Sequence, residues 1–262
     1  MNKLTFEFHY RPGKNWLDEE LIAYRKEIRD VAETCFDEIP EYQIFVANRK
    51  ELKNFLVIFV RNEASELIGF ASSVILDIKN TKNVLHLGLT CVKPEYRGKA
   101  LTHKLISQLI IYFYIRHCFL QPFWITNVAC VLSSLANVAT NFDDVFPAPN
   151  DDSTRSDKHD LIAQEINQKY RELMAINESA AFDKENYIFR GSVQGTVFAK
   201  EATDSRYHHR RHELNQFYQN LINFQNGDEV LQIGRVSMKT IVRYVKTYFN
   251  RLMNLKPQLK YE

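Results

Sequence analysis

Residues 92–105 read VKPEYRGKALTHKL, and the residue types there suit the holding of a phosphate-like anion. An apolar run from Val84 to Val92 precedes the stretch, and an apolar pattern with helical spacing from Leu105 to Ile115 follows it. Arg97, Gly98, Lys99, Ala100, Leu101 and Thr102 therefore sit at a strand-to-helix turn. The first four N–H groups of a helix lack intrahelical partners, and the macrodipole makes that end partly positive. Small residues such as Gly98, Ala100 and Thr102 let the backbone approach an anion closely, while Arg97 and Lys99 add charge at its entrance. The same letters also suit an ordinary solvated helix start, and spacing alone leaves both readings open.

Other residues could move protons or bind polar substrates. Strand periodicity places His86, Gly88, Thr90 and Val92 on one face, and an imidazole has an unperturbed pKa of about 6.5, suited to acid–base work. A histidine satisfied by a hydrogen bond at a strand start is the alternative. Asn127, Ser133, Ser134 and Asn137 flank the end of the next strand, where such residues bind substrate or cap a helix. The run Tyr207-His208-His209-Arg210-Arg211-His212 lacks a Cys or carboxylate at ligand spacing, so a solvated basic loop is expected rather than a metal site, with steering of an anionic partner as its use. Cys35, Cys91, Cys118 and Cys130 form no CxxC pair and no zinc-like spacing with histidine; reduced thiols in a core are expected.

The elements that must position these residues follow from periodicity. Lys3–Tyr10 alternates as a strand, and Trp16–Phe36 repeats apolar residues at helical spacing. Phe55–Arg61, Leu67–Ile78 and Val84–Val92 read as three consecutive strands of a meander. After the Leu105 helix come a strand over Phe123–Leu132 and a short helix over Ser134–Phe142. Pro147, Pro149, Asn150, Asp151 and Asp152 mark a loop, and a helix over Lys158–Asn177 follows it. Tyr187–Val193 and Glu229–Ile233 read as strands, and Glu213–Asn223 and a stretch from about Val236 to Leu255 as helices. Within the last, Met238, Ile241, Val242, Val245, Tyr248, Phe249 and Leu252 share a stripe beside Lys239, Arg243, Lys246 and Arg251. Packing onto the domain is one use of that stripe, and peripheral contact of 236–255 with an anionic membrane is the other.

Bulk composition excludes several classes. The 34 Lys+Arg against 32 Asp+Glu give a formal net charge of +2, so no global field calls for nucleic acid. The N-terminal MNKLTFEFHYRPGKN has no apolar core of a secretory signal, and the greasy segment Leu105–Trp124 is interrupted by polar residues that make a bilayer span costly. A cytoplasmic location is the expectation.

A strand ending at Val92, then Pro94-Glu95-Tyr96-Arg97-Gly98-Lys99, then a long apolar helix resembles motif A of the GNAT superfamily of acyltransferases, and the resemblance covers roughly Val57 to Phe142. Ala100 stands where the family most often has the first glycine of the motif, and Thr102 where Gly or Ala is usual. The resemblance implies an α/β fold: a mixed, centrally splayed sheet flanked by helices, as one domain. Residues 1–142 would be its core, 143–228 a helical insertion and basic loop around one strand, and 229–262 a last strand and amphipathic helix. It also implies acetyl-CoA or another acyl-CoA as cosubstrate and an amine acceptor, and it allows an acyl carrier protein as donor. The loop Arg97–Thr102 would hold the pyrophosphate, and Cys91 and Val92 would offer main-chain contacts to the pantetheine arm. His86 would be the base, and Asn127, Ser134 and Asn137 would bind the substrate. No metal is implied. Many family members carry a tyrosine acid after the next strand, and the corresponding SSLANVATNFDDVF has none. A GNAT-like module that binds acyl-CoA or a partner without catalysis is the alternative.

Overall fold

The computed structural model describes residues 4–149 and 155–254. The strands are β1 (Thr5–Tyr10), β2 (Phe55–Arg61), β3 (Leu67–Ile78), β4 (Thr81–Val92), β5 (Phe123–Ala129), β6 (Asp143–Phe146), β7 (Ala181–Asp183), β8 (Ile188–Arg190) and β9 (Glu229–Val236). The α-helices are α1 (Pro12–Asn15), α2 (Asp18–Glu33), α3 (Leu101–Arg116), α4 (Leu132–Asn141), α5 (Asp157–Lys169), α6 (His212–Leu221) and α7 (Met238–Asn254). The sheet runs β1-β2-β3-β4-β5-β9-β8-β7, with β6 also paired to β9. It is mixed because β4 and β5, joined through α3, run parallel while the other pairs are antiparallel.

The central splay implied by the resemblance is present. Parallel pairing of β4 with β5 covers only Val84–Leu87 against Trp124–Asn127, and beyond Leu87 the two strands part. The extended chain tolerates this because β4 stays bonded to β3 on its other side, from Thr81 to Val92. There, one residue of β3, Ser72, faces two of β4, Gly88 and Leu89, since Ala71 pairs Thr90 and Ser73 pairs Leu87. Such a bulge re-aims the strand.

Apolar layers cover both faces. α2, the 3-10 turn Gln43–Phe45 and α5 pack Ile28, Val31, Ile44, Ile162 and Ile166 on one face. On the other, α3 buries Leu101, Leu105, Leu109, Ile110 and Phe113 against Leu85, Leu87, Phe123 and Ile125. The strand β2, FLVIFVR, is buried from end to end except for Arg61 because both layers cover it.

Several sequence expectations need correction. His86, Gly88, Thr90 and Val92 do not share a face: past the bulge Leu89 and Cys91 join the α2 side and Val92 the α3 side. Residues 143–228 contribute β6, β7 and β8 rather than one strand, all added to the same sheet. The helix over 158–177 ends at Lys169 and continues as a 3-10 turn over Glu172–Met174. Lys3, the loop residues Asn150, Asp151 and Asp152, and Leu255 lie outside the described residues. The last helix buries Thr240 and Tyr244 and exposes Met238, Val242 and Val245; its side chains beyond Lys246 also lie outside the described residues. Among the described residues no helix is long and apolar enough to cross a membrane.

Candidate active site

The chain leaves β4 at Val92, and Lys93 N donates to Ile68 O at 3.0 Å, holding that residue to β3. Alternation along the strand turns the Val92 amide and carbonyl the other way, toward the splay. The Arg97 Nε donates to Val92 O at 3.1 Å, so its guanidinium lies back over the strand end. Lys99 sits 5.0 Å over the Tyr96 ring. Gly98 has φ +76, with open space where a Cβ would be, and Ala100 (φ 56, ψ 26) begins α3 without a side-chain cap. The first helical bond runs from Lys104 N to Ala100 O, leaving the Leu101 and Thr102 amides without intrahelical acceptors. An open turn, uncapped amides and two cations fit a pyrophosphate, so the residues present suit the group that the sequence implies.

Further back along β4, on the α2 face, lies a buried polar group. His86 is wholly buried; its Nδ1 lies 3.0 Å from Thr126 Oγ1, and its Nε2 has no partner. Burial lowers its pKa to about 3, so it is a neutral imidazole. Gly88, two residues on, faces Gln43: a Cβ at 88 would sit 2.0 Å from Gln43 Oε1. Gln43 is 3% exposed, has φ 37, and neither amide atom has a hydrogen-bond partner. Orphaned buried polar atoms are costly, and three of them beside a parted strand pair are available to a polar ligand.

A second polar group lies at the start of β9. Glu229 is 6% exposed and accepts a 2.6 Å hydrogen bond from Ser192 Oγ, and burial pushes its carboxyl up to about 7. By strand alternation it shares the face of Leu231 and Ile233, the α2 side. Its charge is felt by Tyr42, whose phenol burial raises above the ordinary range, and by Cys130. Phe198 packs edge-on against Phe36 and Tyr42, at 6.3 and 5.5 Å between ring centres, and its carbonyl accepts from Cys130 Sγ at 3.2 Å. The segment after β8 is thereby tied to the loop between α2 and β2.

The remaining sequence candidates are spread out. Asn127 is buried on the other face, where its Nδ2 donates to Gln232 Oε1, and Gln232 in turn bonds Tyr218 and Leu135. Ser134 lies in the first turn of α4, and Asn137 is exposed on that helix. Part of the basic loop is engaged locally: His208 Nε2 bonds Ala202 O, Asn215 of α6 bonds the His209 backbone, and Arg211 pairs with Glu213. Among the described residues no cluster of three or more His, Cys, Asp or Glu could hold a metal ion. Sequence reading passed over Gln43, Tyr42 and Glu229. The one available signal was a carboxylate opening the mostly apolar run EVLQIG, in which Gln232 is the other polar residue.

Residues 15–125 match the model of the acetyltransferase (GNAT) family, a span from the end of α1 into β5. Among solved structures, an aminoglycoside acetyltransferase from an uncultured soil metagenomic sample, in complex with sisomicin, aligns at 14% identity and a TM-score of 0.33. The alignment covers 43% of this chain and 71% of that one. A putative GNAT acetyltransferase of Desulfovibrio desulfuricans aligns at 15% identity and a TM-score of 0.34, over 48% of this chain and 74% of its own. A GNAT N-acetyltransferase of Escherichia coli in complex with CoA aligns at 14% and 0.29, over 49% and 64%. No curated protein matches the chain.

Proposed function

We propose that this chain, which carries the GNAT acetyltransferase segment over residues 15–125, is an acyl-CoA-dependent N-acyltransferase acting on an amine. The observation that carries the reading is the parting of β4 and β5 after Leu87, beside the uncapped start of α3. When bound, the acyl-CoA supplies its acyl group as a thioester, already activated toward amines.

The residues divide the remaining work. The amides of Leu101 and Thr102, with Arg97 and Lys99, hold the pyrophosphate, and Gly98 and Ala100 let the backbone reach it. The strand edge at Cys91 and Val92 aligns the pantetheine, and main-chain amides near Val92 polarise the carbonyl. An amine that is protonated at neutral pH must lose a proton before it can attack, and efficient proton acceptors have pKa values near the working pH. Glu229, at about 7, meets that condition. His86, at about 3, stays neutral, and its unpartnered Nε2 offers the substrate a hydrogen-bonding group. Asn127 keeps to its Gln232 network, and Ser134 and Asn137 remain substrate-binding candidates on α4, away from this polar group.

Thermal unfolding with acetyl-CoA, long-chain acyl-CoA and free coenzyme A tests the cofactor. A ligand at 100 times its Kd stabilises by about 2.7 kcal/mol, and Arg97→Glu should abolish most of the shift. Absence of a shift with every thioester overturns the reading. A non-catalytic acyl-CoA-binding module is the second reading, favoured by Arg97 being engaged on Val92 O. Free-thiol release on adding an amine panel separates the two, because the module binds without releasing thiol.

A further inference from the structure

Cys35 lies in the turn that follows α2 and is partly exposed, whereas Cys91, Cys118 and Cys130 are buried. Its Sγ is 3.4 Å from Val92 O and 3.7 Å from Thr34 Oγ1. Cys91 immediately precedes Val92 on β4, and its side chain belongs to the same apolar cluster against which Cys35 packs. Cys118 sits in the cluster on the opposite face and Cys130 in a third. Two of the four thiols therefore lie on the same face beside Val92, close enough for each to shift the other's acidity, one reachable from solvent and one buried.

The surroundings divide the pair's acidity. The Cys91 thiol, the Thr34 hydroxyl and the Arg97 guanidinium hold the Cys35 thiol well below its usual range, and Cys91 is raised because it faces the Cys35 sulfur and is buried. Reactive cysteines occupy electropositive, partly exposed positions of this kind, while buried apolar thiols are inert.

We propose that Cys35 and Cys91 form a reactive dithiol that closes to a disulfide by exchange with a low-molecular-weight disulfide such as glutathione disulfide. The Cys35 thiolate attacks one sulfur of that disulfide. A Cys35–glutathione bond forms as the glutathione S–S bond breaks, and the departing glutathione thiolate takes a proton from water. With the charge on Cys35 gone, Cys91 is no longer held protonated by a neighbouring anion. It gives its proton to water and attacks Cys35 Sγ, expelling the second glutathione thiolate, which is protonated in turn. The protein dithiol loses two electrons and two protons, and one glutathione disulfide becomes two glutathione thiols. The bond ties the end of α2 to β4 beside the Val92 carbonyl and releases Arg97 from its anionic neighbour.

The proposal does not rest on the acyl-CoA reading, and its test uses no coenzyme A. The full chain is equilibrated in glutathione redox buffers, trapped by alkylation, and mapped by non-reducing peptide mass spectrometry. The wild type should yield the Cys35–Cys91 crosslink. Cys91→Ser should stop at a single glutathione adduct on Cys35, and Cys35→Ser should stay unmodified, with the circular dichroism of both variants unchanged. A Cys118→Ser, Cys130→Ser double variant should crosslink as the wild type does. Absence of the crosslink in folded wild type, or adducts on Cys118 or Cys130 in place of Cys35, overturns the proposal.

Discussion

Ala100 holds a left-handed conformation, φ 56, at the N-cap of α3. For an L residue this backbone costs roughly 1 kcal/mol, and alanine is also among the weakest N-caps. Ala100→Gly should therefore stabilise the protein by about 1 kcal/mol, read as a rise of roughly 2–4 °C in Tm for a chain of this size. Differential scanning calorimetry checks it, and a fall in Tm would mean that the methyl group packs. The position was legible in the sequence because the spacing of Gly98 and its charged neighbours marks a tight turn directly. Gln43 and Glu229 were not legible, since a buried polar side chain is defined by what surrounds it. Their surroundings, Gly88 and Ser192, are 45 and 37 residues away along the chain.

The bulge at Gly88 and Leu89 belongs to β4 as an element. A Cβ at 88 would meet Gln43 Oε1 at 2.0 Å and Ser72 O at 2.9 Å. Gly88→Ala should destabilise by about 1–3 kcal/mol, and adding Gln43→Ala should recover only part of that, because the Ser72 carbonyl stays. A double-mutant cycle by urea unfolding reads both; full recovery would show that β3 yields. The sequence marked β2 and β3 to the residue because polar stretches bound long apolar runs. It hid the bulge, which leaves the apolar alternation almost intact while shifting it by one. It hid β6 and β7 as well, since such short strands exist only through their partners: β6 adds to β9, and β7 pairs β8.

For the whole molecule, buried titrating groups set the response to acid. Burial lowers the pKa of His9, His86, His117 and His159. Below about 6.5 the unfolded chain binds protons that these folded sites refuse. Their contribution is complete above that pH and is lost on acidification, for His86 down to about 3, at about 1.4 kcal/mol per pH unit for each fully neutral site. Glu229 has the opposite sign: its raised folded pKa makes its contribution greatest below about 4.5, fading as pH rises through 7. Urea midpoints should fall from pH 7 to 5, and more steeply in Glu229→Gln, which lacks the compensating proton; equal slopes would place the Glu229 carboxyl near its ordinary range. The narrow joint between β4 and β5 has a further consequence. Strands β1–β4 come from residues 5–92 and the rest of the sheet from 123–236, so order in the chain and order across the sheet agree at the joint. A break between Phe119 and Leu120, which are 79% and 51% exposed, would cut no strand and require no threading. Two separately synthesised pieces, 1–119 and 120–262, should thus find each other and reassemble, making the protein a natural candidate for a split reporter.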